Sequence, residues 1–289
     1  MREKIFVPYL SLAVMFSIIL SAVPAALDAE DLARQGERAW TKLHGAALKG
    51  HLSVIEQLAG EAALREASAV GGTKPLHQAA MAGHAAAIEA LINAGASPHP
   101  HDDGGMTPLH YSVAEGHRQA IHALLKAGAE RDAANAEGLS PLHQAARLDQ
   151  PMAIALLAAE GASLVTRDDV QATPLHHAAH FGNLLAIAAL VEAGAPTESV
   201  AADELTPLHW AANAGSAEAL AALLAAGANL EARDTEGWSA LDFALDGKHA
   251  EAVEVLENAT EARLESDAKA KVREAVERAK ARVGGKDEI

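Results

Sequence analysis

One period governs this chain. A leucine within a short recurring motif falls at Leu43, Leu76, Leu109, Leu142, Leu175, Leu208 and Leu241, each step being 33 residues. The motif reads Pro-Leu-His at 75–77, 108–110, 141–143, 174–176 and 207–209, Lys-Leu-His at 42–44 and Ala-Leu-Asp at 240–242. A fixed spacing of this length marks a stacked array, because each unit is too small to bury its own apolar face and must cover it with a neighbour. A stack has one elongated core, in which each unit touches only the next. That overrides the expectation of one or two globular domains for 289 residues.

The fourth copy shows the local logic. Gly138 permits a tight turn, and Ser140-Pro141 opens a helix. Serine is a good N-cap, and proline at the first helical position gives up only an N–H that has no partner there. Leu142, Ala145 and Ala146 form the apolar face of this short helix. A second helix starts at Pro151 with Met152, Ile154, Leu156 and Leu157, and ends at Gly161, which can adopt a left-handed C-terminal cap. Gly95, Gly128, Gly194 and Gly227 repeat that terminator. The departures lie mainly at the ends: Lys42 stands where a capping Thr is expected, Leu43 lacks its Pro, and Lys74 replaces the second cap. The last copy has Ala240, Asp242 and Lys248 for Pro, His and Gly. Asp149 replaces a glycine mid-array, a mild strain since Asp tolerates the left-handed region.

On these motifs the chain resembles the ankyrin-repeat family, of a secreted or periplasmic bacterial type, from about Trp40 to about Asn258. The resemblance implies an all-α helical solenoid of about seven helix-turn-helix units with short hairpin loops, whose first helices and loop tips line a concave groove. The units fall at 38–67 (degenerate), 71–100, 104–133, 137–166, 170–199, 203–232 and 236–265 (capping). A helical N-terminal cap is expected over 26–37, reaching Trp40, and a charged C-terminal helix and tail over 266–289. That helix should begin near Glu257 and carry pairs at Glu265–Lys269, Asp267–Lys271 and Glu274–Arg278. Its thin apolar stripe suits a solvated helix, with a short coiled coil as the alternative. Thr107, Ser140, Thr173 and Thr206 would cap helices. His44, His77, His110, His143, His176 and His209 would be internal, bonded to neighbouring loop backbone.

Residues 1–25 read as a secretory signal. Arg2 and Lys4 precede an apolar stretch from Ile5 to Leu20, and Val23-Pro24-Ala25 offers a small-residue cleavage site. Cleavage after Ala25 would move the formal charge from −16 to −17 by removing Arg2, Glu3 and Lys4. The expected location is the periplasm, with secretion or an uncleaved inner-membrane anchor as alternatives. The acidic balance disfavours nucleic acid and anionic membrane, both of which attract basic surfaces. With no cysteine, disulfides, thiolate metal sites and thiol catalysis are excluded.

The sequence contains no G-x-S-x-G, H-E-x-x-H, phosphate-binding G-x-x-x-x-G-K or calcium loop. The expectation is a chain that is not an enzyme and holds no cofactor or metal. Two groupings offer metal-ligating side chains. His99-Pro100-His101-Asp102-Asp103 matches no recognised spacing. In His176-His177-His180, the last two should face the groove one turn apart, but Arg147 one unit earlier would repel a cation.

Aromatics are more telling. Beyond the signal there are six: Trp40, Tyr111, Phe181, Trp210, Trp238 and Phe243. Tyr111, His177, Trp210 and Phe243 share one register, directly after the motif His or Asp. Phe181 occupies a second variable position, and Trp238 follows the last loop glycine. The resemblance places Tyr111, His177, Phe181, Trp210, Trp238 and Phe243 on or beside the groove, where aromatics make good anchors. Tyr111 and Trp210 are expected to face solvent in the free chain. The partner expected is a protein with a neutral or basic patch, bound by a monomer. The alternatives are small-molecule or metal binding by groove His and acidic residues, and a membrane-anchored adaptor.

Overall fold

The computed structural model describes residues 40–284, so the expected signal and nearly all of the N-terminal cap lie outside the described residues. No described helix is long and apolar enough to cross a membrane. The chain divides into two compact units, Met1–Glu130 and Arg131–Ile289.

In the first unit, α1 (Lys42–Lys49), α4 (Pro75–Met81) and α6 (Pro108–Ala114) are the first helices of three copies. The second helices are α2 (Leu52–Leu58), α5 (Ala85–Asn93) and α7 (Arg118–Lys126), with a short α3 (Ala62–Arg65) closing the first copy. First helices pack in series, as do second helices. The core lies between the two rows, where Leu43, Ile55, Ile88, Leu91, Leu109 and Leu124 are fully buried.

The second unit repeats this plan with four copies. First helices are α8 (Pro141–Arg147), α10 (Pro174–Phe181), α12 (Pro207–Ala214) and α14 (Ala240–Asp246). Second helices are α9 (Pro151–Ala159), α11 (Leu184–Glu192), α13 (Ala217–Ala225) and α15 (Ala250–Gly284). Each row again packs in series around Leu142, Ile154, Leu157 and Leu175.

Within each unit the motif histidine ties one copy to the next. In the fourth copy the backbone N–H of Ser140 donates to His143 Nδ1 at 3.1 Å, so that nitrogen carries no proton. The proton sits on Nε2, which donates to the carbonyl of Ala172, 29 residues on, at 3.0 Å. His44 reaches Thr73, His77 reaches Met106, His176 reaches Leu205 and His209 reaches Trp238 in the same way. Burial lowers His44, His77, His143 and His176 to about 4, since these rings must stay neutral to make both bonds. The internal role expected from the sequence is therefore met in these copies.

A second tie runs through the turn between helices. His84 Nε2 bonds Leu48 O, His117 bonds Met81 O, Asn183 Nδ2 bonds Ala146 O and His249 bonds Asn213 O. The side chain packs so tightly on the previous turn that a Cβ at Gly215 would come within 2.5 Å of His249. Glycine is thus required there by both its φ of 72° and the neighbour. Asp149 takes the left-handed conformation in the fourth copy (φ 51°), and its carboxylate accepts the Ala186 N–H at 2.7 Å. Lys248 does so in the last (φ 58°), where no further copy follows it.

Two sequence expectations change. Thr41, not Lys42, occupies the first cap and bonds His44 Nδ1 at 2.9 Å; Lys42 takes the place of proline. The charged C-terminal helix is not separate: α15 continues unbroken from the second helix of the last copy, because Thr260 stands where Gly227 ends the preceding one. Of its expected pairs, Glu265–Lys269 is formed at 3.4 Å, and the other two involve side chains outside the described ones. Asp242 keeps the capping half of the histidine's task, accepting from Ser239 N at 2.8 Å and Ser239 Oγ at 2.6 Å. Those bonds hold its carboxyl below the usual range. It has no second ring nitrogen to pass on, and no copy follows.

Candidate binding face

The loops between copies set the geometry of this face. Each is a tight finger closed by a backbone bond across five residues, such as Asp102 N to Met106 O and Asp168 N to Ala172 O, both 3.0 Å. An Asp or Asn at the base reinforces the turn. Asp168 Oδ1 accepts from Val170 N and Ala172 N, as Asp102, Asn135 and Asp234 do in their own fingers. The second carboxylate oxygen is then free to reach the first helix nine residues on.

That reach explains the register of Tyr111 and His177. In the first unit Tyr111 O–H donates to Asp102 Oδ2 at 2.6 Å, while its ring stands edge-on to His77 of the preceding copy. Burial, followed by the carboxylate, pushes the phenol well above its ordinary value. In the second unit His177 Nε2 lies 2.7 Å from Asp168 Oδ2, with its ring edge-on to His143. Asp168 is buried, which opposes ionisation, but the hydrogen bond and charge of His177 outweigh this and hold its carboxyl low.

The next copy breaks the rule. Trp210 occupies the register of Tyr111 and His177, but Ala201 replaces the loop carboxylate. The indole packs against Ala172, Ala201 and Leu205 and meets the rings of His176, His177 and His180 at 5.4–5.9 Å. Its Nε1 is buried without a hydrogen-bond partner. Tyr111 and Trp210, at 9% and 8% exposure, are therefore buried rather than facing solvent. The reason is common to both. A side chain directly after the motif histidine leans onto the preceding copy and seals the joint.

The other expected positions separate by exposure. Phe181 is 47% exposed at the end of α10, in contact with His180 and covered on one side by the Arg147 guanidinium, 5.6 Å from its centroid. Arg147 is also 3.6 Å from Glu137 on the finger of its own copy. His177 is partly exposed. His180 is half-buried, and its pKa is lowered by burial and then by His177 and Arg147. Trp238 and Phe243 pack on each other at 5.5 Å, and Phe243 stands edge-on to His209, so they cover the last joint. The fold thus gathers His177, His180, Phe181 and Trp210, together with Arg147 and Asp168, into one patch of the second unit. Tyr111 belongs to the first unit. The sequence reading missed the loop carboxylates, although the nine-residue spacing of Asp102–Tyr111 and Asp168–His177 was there to be read.

Among the described residues no three His, Asp or Glu side chains lie close enough to hold a metal. Asp102, in the His99–Asp103 loop, already accepts from Gly104 N, Met106 N and Tyr111.

Comparison with known proteins agrees with the architecture. The ankyrin-repeat family, as ankyrin repeats in three copies, matches residues 43–135, 127–201 and 189–266. The chain belongs to the ankyrin-repeat family. It is similar to the crystal structure of the human ASB11 ankyrin repeat domain, with a TM-score of 0.64 and 28% identity, covering 76% of this chain and 97% of that one. It also shares its fold with the ankyrin repeat domain of Bcl-3, described as a unique member of the IkappaB protein family. There the TM-score is 0.67 and identity 24%, covering 76% of this chain and all of that one. No curated protein matches. Ankyrin-repeat domains generally mediate protein–protein interaction.

Proposed function

We propose that this chain is a non-enzymatic protein-binding module that acts outside the cytoplasm, as a monomer. It engages its partner through the first-helix face of the second unit, the side that forms the concave groove in the family's geometry. The observation that carries the reading is the patch around α10. There the imidazoles of His177 and His180 and the half-exposed Phe181 lie side by side above a buried tryptophan, in a chain with only 3% aromatics. Packing from below fixes these groups, so little rotamer freedom remains to be lost on binding. Trp238 and Phe243 extend the same side toward the last copy, and Tyr111 supports the first unit. A formal charge of −16 favours a neutral or basic protein surface and opposes nucleic acid. The extracytoplasmic assignment rests on the signal-like residues 1–25, and mass measurement of the native N-terminus tests it, a chain beginning at Ala26 being the expected result.

The experiment that tests the binding face places a photo-crosslinking amino acid at position 180 or at position 213, where the exposed Asn213 of α12 repeats the register of His180 one copy later, with position 265 as control, in the native host. Covalent adducts with one protein at 180 and 213, and none at 265, are the expected result. Adducts at 265 alone would place binding elsewhere.

A further inference from the structure

The second unit carries an apolar surface that adjoins the binding face at Phe181 and continues beyond it. It lies at the turns joining first to second helices in the fourth and fifth copies. Leu148 (40% exposed) and Phe181 (47%) occupy one register. Met152 (57%) and Leu185 (59%) occupy another, at the start of the second helices, with Leu184 (41%) beside them. Large apolar side chains at these positions in two consecutive copies form a ledge that leaves on the order of 400 Å² of apolar surface in water. That is within the range of the largest patch on a soluble monomer, which is often functional. Nothing in the fold requires it, because the sixth and seventh copies hold Ala214 and Gly247, and Glu218 and Glu251, in the same two registers.

The chemistry changes along the ledge. The row Met152–Leu185 continues as Glu218–Glu251, both exposed, and Asp246 is exposed on the last first helix; the one basic side chain there is Lys248. Helices in a stack lie ~10 Å apart, so the surface is apolar over about two copies and acidic over the next two. Its area also bears on the occupant. Pairing the ledge with its own copy would bury well short of the ~800 Å² per partner that a stable dimer requires. An amphipathic helix presents a narrow apolar stripe of about this size.

We propose that this ledge docks a helical segment of a partner protein, with an apolar stripe at one end and Lys or Arg at the other, laid along the stacking direction. The ledge meets the first-helix face at Phe181, its Met152 and Leu185 row lies outside that face, and one partner can engage both.

A displayed library of ~20-residue helices, with stripe and flank randomised, would be selected against the full chain, and the winning peptides titrated by fluorescence anisotropy. The expected winners carry an apolar stripe and a basic flank. They should lose about tenfold or more in affinity on Met152→Ser with Leu185→Ser, and several-fold on Glu218→Lys with Glu251→Lys. His180→Ala with Asn213→Ala, on the first-helix face, should leave them unchanged. Leu185→Lys alone serves if the first double variant loses helicity. Winners that are acidic, or that bind the ledge variants normally, overturn the proposal, as does a failure to enrich any. So does concentration-dependent self-association abolished by Met152→Ser with Leu185→Ser, which assigns the ledge to a second copy. Winners sensitive only to the His180 and Asn213 pair would sink the ledge while supporting the binding face.

Discussion

The first unit and the second use the same joint and finish it differently. In the first, Tyr111 fills the position after the motif histidine, and its hydroxyl meets Asp102 at 2.6 Å, so the joint is closed both sterically and in hydrogen bonding. In the second, His177 meets Asp168 at 2.7 Å, but one copy later Trp210 has no carboxylate and its Nε1 is left without a partner. Beside that gap stand His180, the half-exposed Phe181 and the apolar ledge. The motif row is held to one chemistry because both ring nitrogens are used in His44, His77, His143, His176 and His209. The neighbouring row has to meet only one requirement, that of filling space, so it can vary. Function can be written in the second row without loosening the first.

Acid should produce the largest effect, and it should not distinguish the units, since both contain the histidine ladder. His44, His77, His143 and His176 lie near 4 in the folded chain, against about 6.5 when unfolded. Between those values the unfolded chain binds more protons, so stability falls as pH drops from 6.5 toward 4 and is level above about 7. Each ring contributes a slope of up to about 1.4 kcal/mol per pH unit. Thermal melts from pH 7.5 to 4.5 should show a steep fall in Tm. A flat profile would mean that these rings are not held neutral.

Removing single rungs is next in size. His143→Ala or His176→Ala should each cost about 1–3 kcal/mol by leaving a buried loop carbonyl and a cap N–H without partners. Partner binding should persist in whichever variant stays folded. Unchanged melting in both would remove the ladder from the account.

A smaller pair of changes addresses the difference between units directly. Tyr111→Phe should cost about 1 kcal/mol by removing the donor to Asp102. Ala201→Asp should restore in the second unit what the first already has. Its carboxylate would brace a finger in which Asp203 and Glu204 adopt φ of 58° and 60°, and would offer the Trp210 indole an acceptor. A gain of about 1 kcal/mol in chemical denaturation is expected. A loss would show that the missing carboxylate is not what leaves the tryptophan unpartnered.

The repeat was legible because its rules are local and periodic. Proline at the first helical position, glycine at each stop and histidine three residues after the cap recur at a fixed step, and the helices sit where those residues put them. The first-copy cap was misplaced by one residue because Lys42 hides the match to Thr107-Pro108, although Thr41 is in register. The C-terminal helix was expected from Glu257, and its unbroken run from Ala250 was not drawn because the cause is an absence, the lack of a glycine at Thr260. The exposure of Tyr111 and Trp210 was misjudged for a physical reason. Register says which row a side chain belongs to, but whether it leans onto the preceding copy depends on what that copy presents, here His77 for one and His176 for the other. The Gly-His pairs at 50–51, 83–84 and 116–117 recur with the same period, and they signalled the second set of ties that the sequence reading passed over.

The central claim is that the partner is held by the first-helix face of the second unit. The most direct measurement is the affinity of the cross-linked partner, once purified, for the full chain and for His180→Ala with Asn213→Ala, beside Tyr111→Phe and Glu265→Ala with Lys269→Ala. The account predicts a loss of about 2–4 kcal/mol for the first variant with its melting unchanged, and near-wild-type binding for the other two, whose changes lie in a sealed joint and on an exposed helix surface. Normal binding by the His180 and Asn213 variant, or an equal loss in the Glu265 and Lys269 control, would contradict it.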